Sequence, residues 1–180
     1  MCGRYHFNIL ASRKGKQLKE KAISLNLTYK EGEIFPDDKV LCIIPSENKI
    51  DLEVMKWGIK SRSLIINARY ETLDYRPAFA QYTHNRCAVI ADCFYEWDKD
   101  KHRYEIRTAD DYMYLACICN NQKELVILTI ASDEQFKNIH DRMPIVMDKD
   151  EMLCFVHNQD CVFAKKSFMF KKMEDEIKLF

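Results

Sequence analysis

A cysteine at position 2, directly behind the initiator methionine in Met1-Cys2-Gly3-Arg4-Tyr5, has more chemistry open to it than any other residue of this chain. A small second residue is what methionine aminopeptidases accept. Loss of Met1, through such an enzyme or autocatalytically, would leave Cys2 with a free α-amine beside its thiol. That amine has a reference pKa of about 7.7–8.0, against about 10.4 for lysine, so a useful fraction is neutral near pH 7. A neutral amine attacks an aldehyde to give a Schiff base, and the neighbouring thiolate can close a five-membered thiazolidine on the same carbon. Two more side chains could move the protons this needs. Glu96 lies between aromatics in Phe94-Tyr95-Glu96-Trp97, where burial would raise its pKa. His140, in Ile139-His140-Asp141-Arg142-Met143-Pro144, carries an imidazole with an ordinary pKa of about 6.5. Each has a structural alternative: an incidental cysteine, a solvated strand-end carboxylate, a histidine beside a turn.

The chain that must position these groups has 180 residues, enough for one domain with a sizeable core, and 47% of them are hydrophobic. Four glycines, four prolines and no low-complexity stretch leave no linker, so a single domain over 1–180 is expected. The first thirty residues lack a signal-peptide core, and no stretch nears the roughly 18 apolar residues of a membrane span, which predicts a cytoplasmic protein. The eight cysteines should then be reduced, and Cys42, Cys87, Cys117 and Cys119 sit in strand-like runs as small core hydrophobes. CxxC pairs are missing, so neither a metal nor a cofactor is expected. Twenty-eight basic residues balance 28 acidic ones, so net charge gives no support for a nucleic-acid partner; only a local clustering of Arg and Lys could supply it.

Runs rich in β-branched and aromatic residues read as strands at 40–44, 52–59, 64–66, 87–90, 104–106, 112–118 and 125–130. Helical patterns fit 12–25, with Ser12 as N-cap, and 72–82; a short turn fits 133–139. A last helix at 148–157 has Asp148 and Glu151 at capping-box spacing. This is an α+β pattern built on a mostly antiparallel sheet. Phe163, Phe168 and Phe170 in the tail are costly to leave in water, so the tail should pack.

Four segments stand in order behind the Cys2 start: Asn67-Ala68-Arg69-Tyr70-Glu71-Thr72, Arg86-Cys87-Ala88-Val89-Ile90-Ala91-Asp92, Phe94-Tyr95-Glu96-Trp97, and the stretch from Ile139 to Val146. Together they closely resemble the SRAP family, the SOS response-associated peptidases that process abasic sites, over residues 1 to about 156, with 157–180 as a tail outside it. The resemblance implies a barrel-like β core with peripheral helices. It makes Cys2 the crosslinking nucleophile, Asn67 the amide that holds the amine or the sugar oxygens, and Glu96 and His140 the catalytic glutamate and histidine. It also implies that Arg4 and Arg69 hold DNA phosphates and that Trp57 stands at the DNA-binding surface. The implied partner is single-stranded DNA with an abasic site, since an unpaired nucleotide is already free to splay toward a fixed terminus; a monomer is expected. Three places depart from the family pattern. Cys93 takes a glycine position and could lie near the site, the stretch from Asp37 to Ile44 replaces an Ala-Pro, and Ile59 to Leu64 lacks a proline and a second tryptophan. Competing classes are a thiol peptidase or lyase using Cys2 with His140 and Asn67, an N-terminal nucleophile amidotransferase, and a non-catalytic DNA-binding module.

Overall fold

The β-branched and aromatic runs in the middle of the chain pair into a closed ring of strands. The computed structural model describes residues 2–10, 13–47 and 49–174. In chain order the strands are β1 (Arg4–Phe7), β2 (Gly32–Ile34), β3 (Lys39–Ser46), β4 (Lys49–Trp57), β5 (Ile59–Lys60), β6 (Leu64–Ile65), β7 (Asn67–Arg69) and β8 (Arg86–Ala91). They continue with β9 (Cys93–Trp97), β10 (Arg103–Arg107), β11 (Met113–Cys119), β12 (Glu124–Ala131), β13 (Arg142–Pro144), β14 (Val146–Met147) and β15 (Met169–Lys172). Among the described residues, two α-helices, α1 (Arg13–Ser24) and α2 (Lys149–Val156), complete the regular structure with two 3₁₀ turns.

Strands β4, β3, β8, β11 and β12 pair in succession, and β12 returns to β4 to close the ring. The contacts of β12 with β4 and β7 are parallel and the other ring contacts antiparallel, so the sheet is mixed. A second, antiparallel sheet runs in the order β15-β10-β9-β1-β2. The expected mostly antiparallel α+β architecture is thus present, with β dominant.

Each expected strand forms, but the run 52–59 is broken. Gly58 ends β4 at φ +121°, a conformation closed to most side chains, and a Cβ there would meet Leu64 Cδ1 at 2.6 Å. The helix expected over 72–82 is corrected to two 3₁₀ turns, Tyr70–Tyr75 and Ala80–Tyr82. Pro77 is the cause: it forces the preceding Arg76 into an extended conformation, φ −93° and ψ 115°. Helix α1 lies within the expected span, while Ser12, its proposed cap, falls outside the described residues. The capping box on α2 is formed: Asp148 accepts from the Asp150 and Glu151 amides, and Glu151 accepts from that of Asp148.

Cys42, Cys87 and Cys117 are fully buried hydrophobes, as expected. The expectation that every cysteine is reduced is corrected by a disulfide between Cys154 and Cys161. The chain turns back after α2 and brings their Cα atoms to 5.9 Å, within the span such a bond requires.

The tail packs. Strand β15 adds to β10, and Phe136 collects Phe94, Phe168 and Phe170 at centroid distances of 5.8, 6.2 and 5.8 Å. Phe136 belongs to the turn at 133–139, whose start is held by the Asp133 carboxylate accepting from the Gln135 and Phe136 amides. One ring therefore joins that turn, the second sheet and the tail. Phe136→Ala should cost about 3–5 kcal/mol of stability, read from urea unfolding midpoints. A loss under about 1 kcal/mol would mean that the site collapses or that the tail is no part of the cooperative core.

Candidate active site

Cys2 stands just before β1, where the chain enters the second sheet, and is fully buried. Asn67 reaches it from β7: its Nδ2 donates to the Cys2 carbonyl oxygen at 2.8 Å. Strand β7 is held there by parallel pairing with β12, Asn67 opposite Ile127, and by Thr129 Oγ1 donating to the Ala68 carbonyl at 3.3 Å. The other amide atom, Asn67 Oδ1, is buried with no hydrogen-bond partner among the described residues. Glu96, on β9, shares the inner face of its sheet with Phe94 and is 3% exposed.

Burial sets the electrostatics. It pushes the Cys2 thiol far above its usual range, and the charge of Glu96 adds to the effect. The thiol therefore keeps its proton until a base takes it. Burial also raises Glu96 from about 4.5 to about 7, with a smaller contribution from the charge of Asp141. A carboxylate in that range can both give and take a proton near neutral pH. His140 is lowered, again mainly by burial, so its ring is neutral at pH 7. Its Nδ1 accepts the Arg142 backbone N–H at 3.0 Å, which places the proton on Nε2. Asp141 Oδ1 also lies 2.7 Å from Nδ1, a contact that favours the protonated ring, but this carboxylate is 83% exposed and well screened. Burial prevails.

The His140 loop is fixed from behind. Arg142 makes a bidentate pair with Glu71, at 2.8 and 2.9 Å, and donates to the Thr129 carbonyl oxygen. Because Thr129 also holds Ala68, one network connects the strand bearing Asn67 to the loop bearing His140. Glu71 and Arg142 both stand inside motifs visible in the sequence, but nothing there pairs them across 71 positions.

Cys2 and Asn67 are thus in contact, and the charge of Glu96 is felt by the thiol. His140 lines an open groove with Trp97 and Asp98. Arg69, two residues after Asn67 on β7, is exposed and makes no ion pair among the described residues. Arg4 projects from β1, its guanidinium 4.3 Å from the centre of the Phe35 ring.

One expectation is corrected. Trp57 is fully buried rather than at a binding surface: its ring packs on Tyr5 at 5.4 Å and its Nε1 donates to the Ile66 carbonyl, so the core satisfies the whole side chain. Cys93 lies on the face of β9 opposite Glu96, because the strand alternates and Cys93 pairs with His6, yet it remains near enough to couple electrostatically to the Cys2 thiol. The thiol there is pushed up to about 11 by burial, and its backbone is ordinary strand, so the missing glycine leaves the strand intact. Among the described residues, the group near enough to share a cation is Asp98, Asp100 and His102, with ligand atoms within 4.8 Å. Asp98 already serves the β9–β10 turn by accepting from the Asp100 and His102 amides.

A profile of the SOS response associated peptidase (SRAP) family matches residues 1–179, so the match extends through the tail that the sequence motifs left out. Abasic site processing protein YoqW of Bacillus subtilis is 28% identical over 141 residues, covering 66% of this chain and 63% of its own length. Abasic site processing protein YedK of Escherichia coli is 29% identical over 133 residues, covering 65% and 60%. The match thus spans under two thirds of either relative. A crystal structure of a protein from Bordetella bronchiseptica superposes with a TM-score of 0.71 at 15% identity, covering 96% of this chain and 100% of that one. One from Bacteroides thetaiotaomicron gives 0.69 at 17%, covering 88% and 83%. At these identities the structural likeness establishes a shared fold.

The raised Glu96 carboxyl has a consequence for stability. The folded protein binds the extra proton between about pH 4.5 and pH 7, so wild-type stability falls as pH rises through that window. Glu96→Gln has no charge to desolvate. Relative to its value at pH 4.5, the stability gap favouring Glu96→Gln should widen by about 2–3 kcal/mol at pH 8. Denaturant titrations across this range measure it, and a gap independent of pH would mean that Glu96 titrates as an exposed carboxyl does.

Proposed function

The chain belongs to the SOS response associated peptidase family, and from that membership we propose that it processes abasic sites in single-stranded DNA by bonding Cys2 to the aldehyde of the ring-opened sugar. The observation that carries the reading is the convergence of an amide and a near-neutral carboxylate on one cysteine. Relatives that bear the name abasic site processing protein support the substrate class.

The steps balance without an oxidant or a metal. With Met1 removed, the Cys2 amine attacks the aldehyde carbon, and loss of one water leaves a C=N bond. Glu96 delivers the proton that the departing hydroxyl needs. Cys2 Sγ then adds to the imine carbon: an S–C bond forms, the thiol proton passes to Glu96, and the ring nitrogen gains a proton to give a thiazolidine. The order follows from acidity, since a buried thiol with a raised pKa is a poor first nucleophile while a terminal amine already has a useful neutral fraction. Neutral His140, with its proton on Nε2, is suited to stabilise the alkoxide released as the sugar opens. Asn67 fixes the Cys2 carbonyl and offers Oδ1 to the amine. The thiol peptidase reading has less support, because activated cysteines have lowered pKa values and this one is raised.

Intact mass after incubation with an oligonucleotide carrying one abasic site tests the proposal. The expected species is protein lacking Met1 plus oligonucleotide minus one water, stable to denaturation. Cys2→Ala keeps the amine and should give an adduct only under borohydride. A reductant-independent adduct from that variant, or from protein verified to retain Met1, would overturn the thiazolidine. Glu96→Gln should slow adduct formation by about 10²- to 10⁴-fold, with DNA affinity changed by less than about threefold. Matching losses in rate and affinity would instead make Glu96 a DNA-binding residue.

A further inference from the structure

On the outer face of the second sheet, strand alternation puts Arg4 beside Tyr95 and Arg103 beside Trp97, away from Glu96 and Phe94. Both guanidiniums converge on one atom, Glu33 Oε1 on β2: Arg4 Nη1 at 3.2 Å and Arg103 Nη2 in closer contact. Each also lies against aromatic rings. Arg4 is 4.3 Å from the Phe35 centroid and 5.2 Å from that of Trp97, and Arg103 is 3.8 Å from Tyr95 and 5.8 Å from Trp97. The Nε atoms of both arginines are buried without a partner among the described residues. Phe35 is 42% exposed.

Two planar forks with five donors each are held by a single carboxylate oxygen, and the cluster carries one net positive charge. The side chains of these pairs are 25–32% exposed, so the cluster is open to an incoming anion while its rings hold the guanidiniums in place. The stereochemistry suits a phosphodiester, which can accept from two guanidiniums at once, flanked by ring faces on which unpaired bases stack. A free phosphate would have no use for the exposed Phe35 ring.

We infer that Arg4, Arg103 and Phe35 form a docking site for the single-stranded backbone, in which Glu33 occupies the phosphate position until DNA displaces it. The inference rests on the proposed substrate and adds Arg103, Phe35 and the Glu33 carboxylate to the residues that meet it. Arg4 is two residues from Cys2, and Trp97 follows Glu96 on the other face of β9, so a strand held here passes the end of β1 that Cys2 precedes. Glu33 acts as an internal competitor: it weakens nonspecific binding and lowers the apparent salt dependence, since each DNA contact must release a protein carboxylate.

Anisotropy titrations of an unmodified single-stranded oligonucleotide from about 50 to 200 mM salt test this directly. Glu33→Gln should bind about 3- to 10-fold more tightly at the lowest salt, with the log–log salt slope steeper by about 0.7. Arg103→Ala should weaken binding and flatten the slope by a similar amount, and should remove part of the gain when combined with Glu33→Gln. Unchanged or weaker binding by Glu33→Gln with an unaltered thermal midpoint would overturn the inference. Should that variant unfold early, Arg103→Lys decides: it keeps the charge but loses the fork and the ring contact, so weaker binding is expected and unchanged binding refutes the site. Adduct yield on an abasic oligonucleotide is measured in parallel. Failure of wild type to form an adduct, with the titrations as expected, sinks the crosslinking reading alone; adduct formation with no Glu33 effect sinks this one alone.

Discussion

Successive residues of a strand point to opposite faces, and β9 uses that constraint to hold two incompatible environments one residue apart. Glu96 turns inward, where water is excluded and its carboxyl rises to about 7. Tyr95 and Trp97 turn outward to carry the guanidiniums of Arg103 and Arg4. A helix would spread these side chains around its circumference, and a loop would not exclude water from one of them. Pairing with β1 on one side and β10 on the other fixes the register, so a slip of one residue would exchange the faces of the carboxyl and the aromatics.

The inward environment works against folding. Glu96 and the Cys2 thiol are both taken out of water; burial raises both pKa values, and the charge of Glu96 raises that of the thiol further. Such groups persist only where the surrounding structure outweighs their cost. Here that structure is the closed ring, which supplies β7 and Asn67, together with the Phe94–Phe136–Phe168–Phe170 cluster behind β9. The tail belongs to this support, which explains why the family profile extends through it although it carries none of the motif residues.

The chemistry of the site was more legible in the sequence than its geometry. Cys2, Asn67, Glu96 and His140 sit in compact motifs, and the structure brings Cys2 and Asn67 into contact with Glu96 alongside. Seven runs announced themselves as strands by composition, but β1, β2, β7, β9, β13, β14 and β15 did not. They are two to five residues long, and all but β14 contain a charged residue or glycine, so their pairing depends on distant partners rather than local propensity. Trp57 misled because a tryptophan has both an apolar body and a polar tip; only the position of the Ile66 carbonyl decides that the tip is satisfied inside. Pro77 could have split the 72–82 helix in advance, since the residue before a proline avoids helical geometry. Glu33 carried no signal, because its meaning depends on two arginines 29 and 70 positions away.

A net charge of zero looked like evidence against a polyanionic partner, and the ion pairs explain why it is not. What matters is which arginines can exchange their partner. Arg142 is 11% exposed, bidentate to Glu71 and bonded to Thr129 as well; releasing it would dismantle the loop that carries His140. Arg4 and Arg103 share one oxygen, keep unused donors and remain a quarter or more exposed, so an incoming phosphate can replace Glu33 without disturbing the backbone. Charge counted over the whole chain treats these pairs alike. Counted by how many donors each fork has already committed, it separates an arginine that builds the site from two that can bind at its edge.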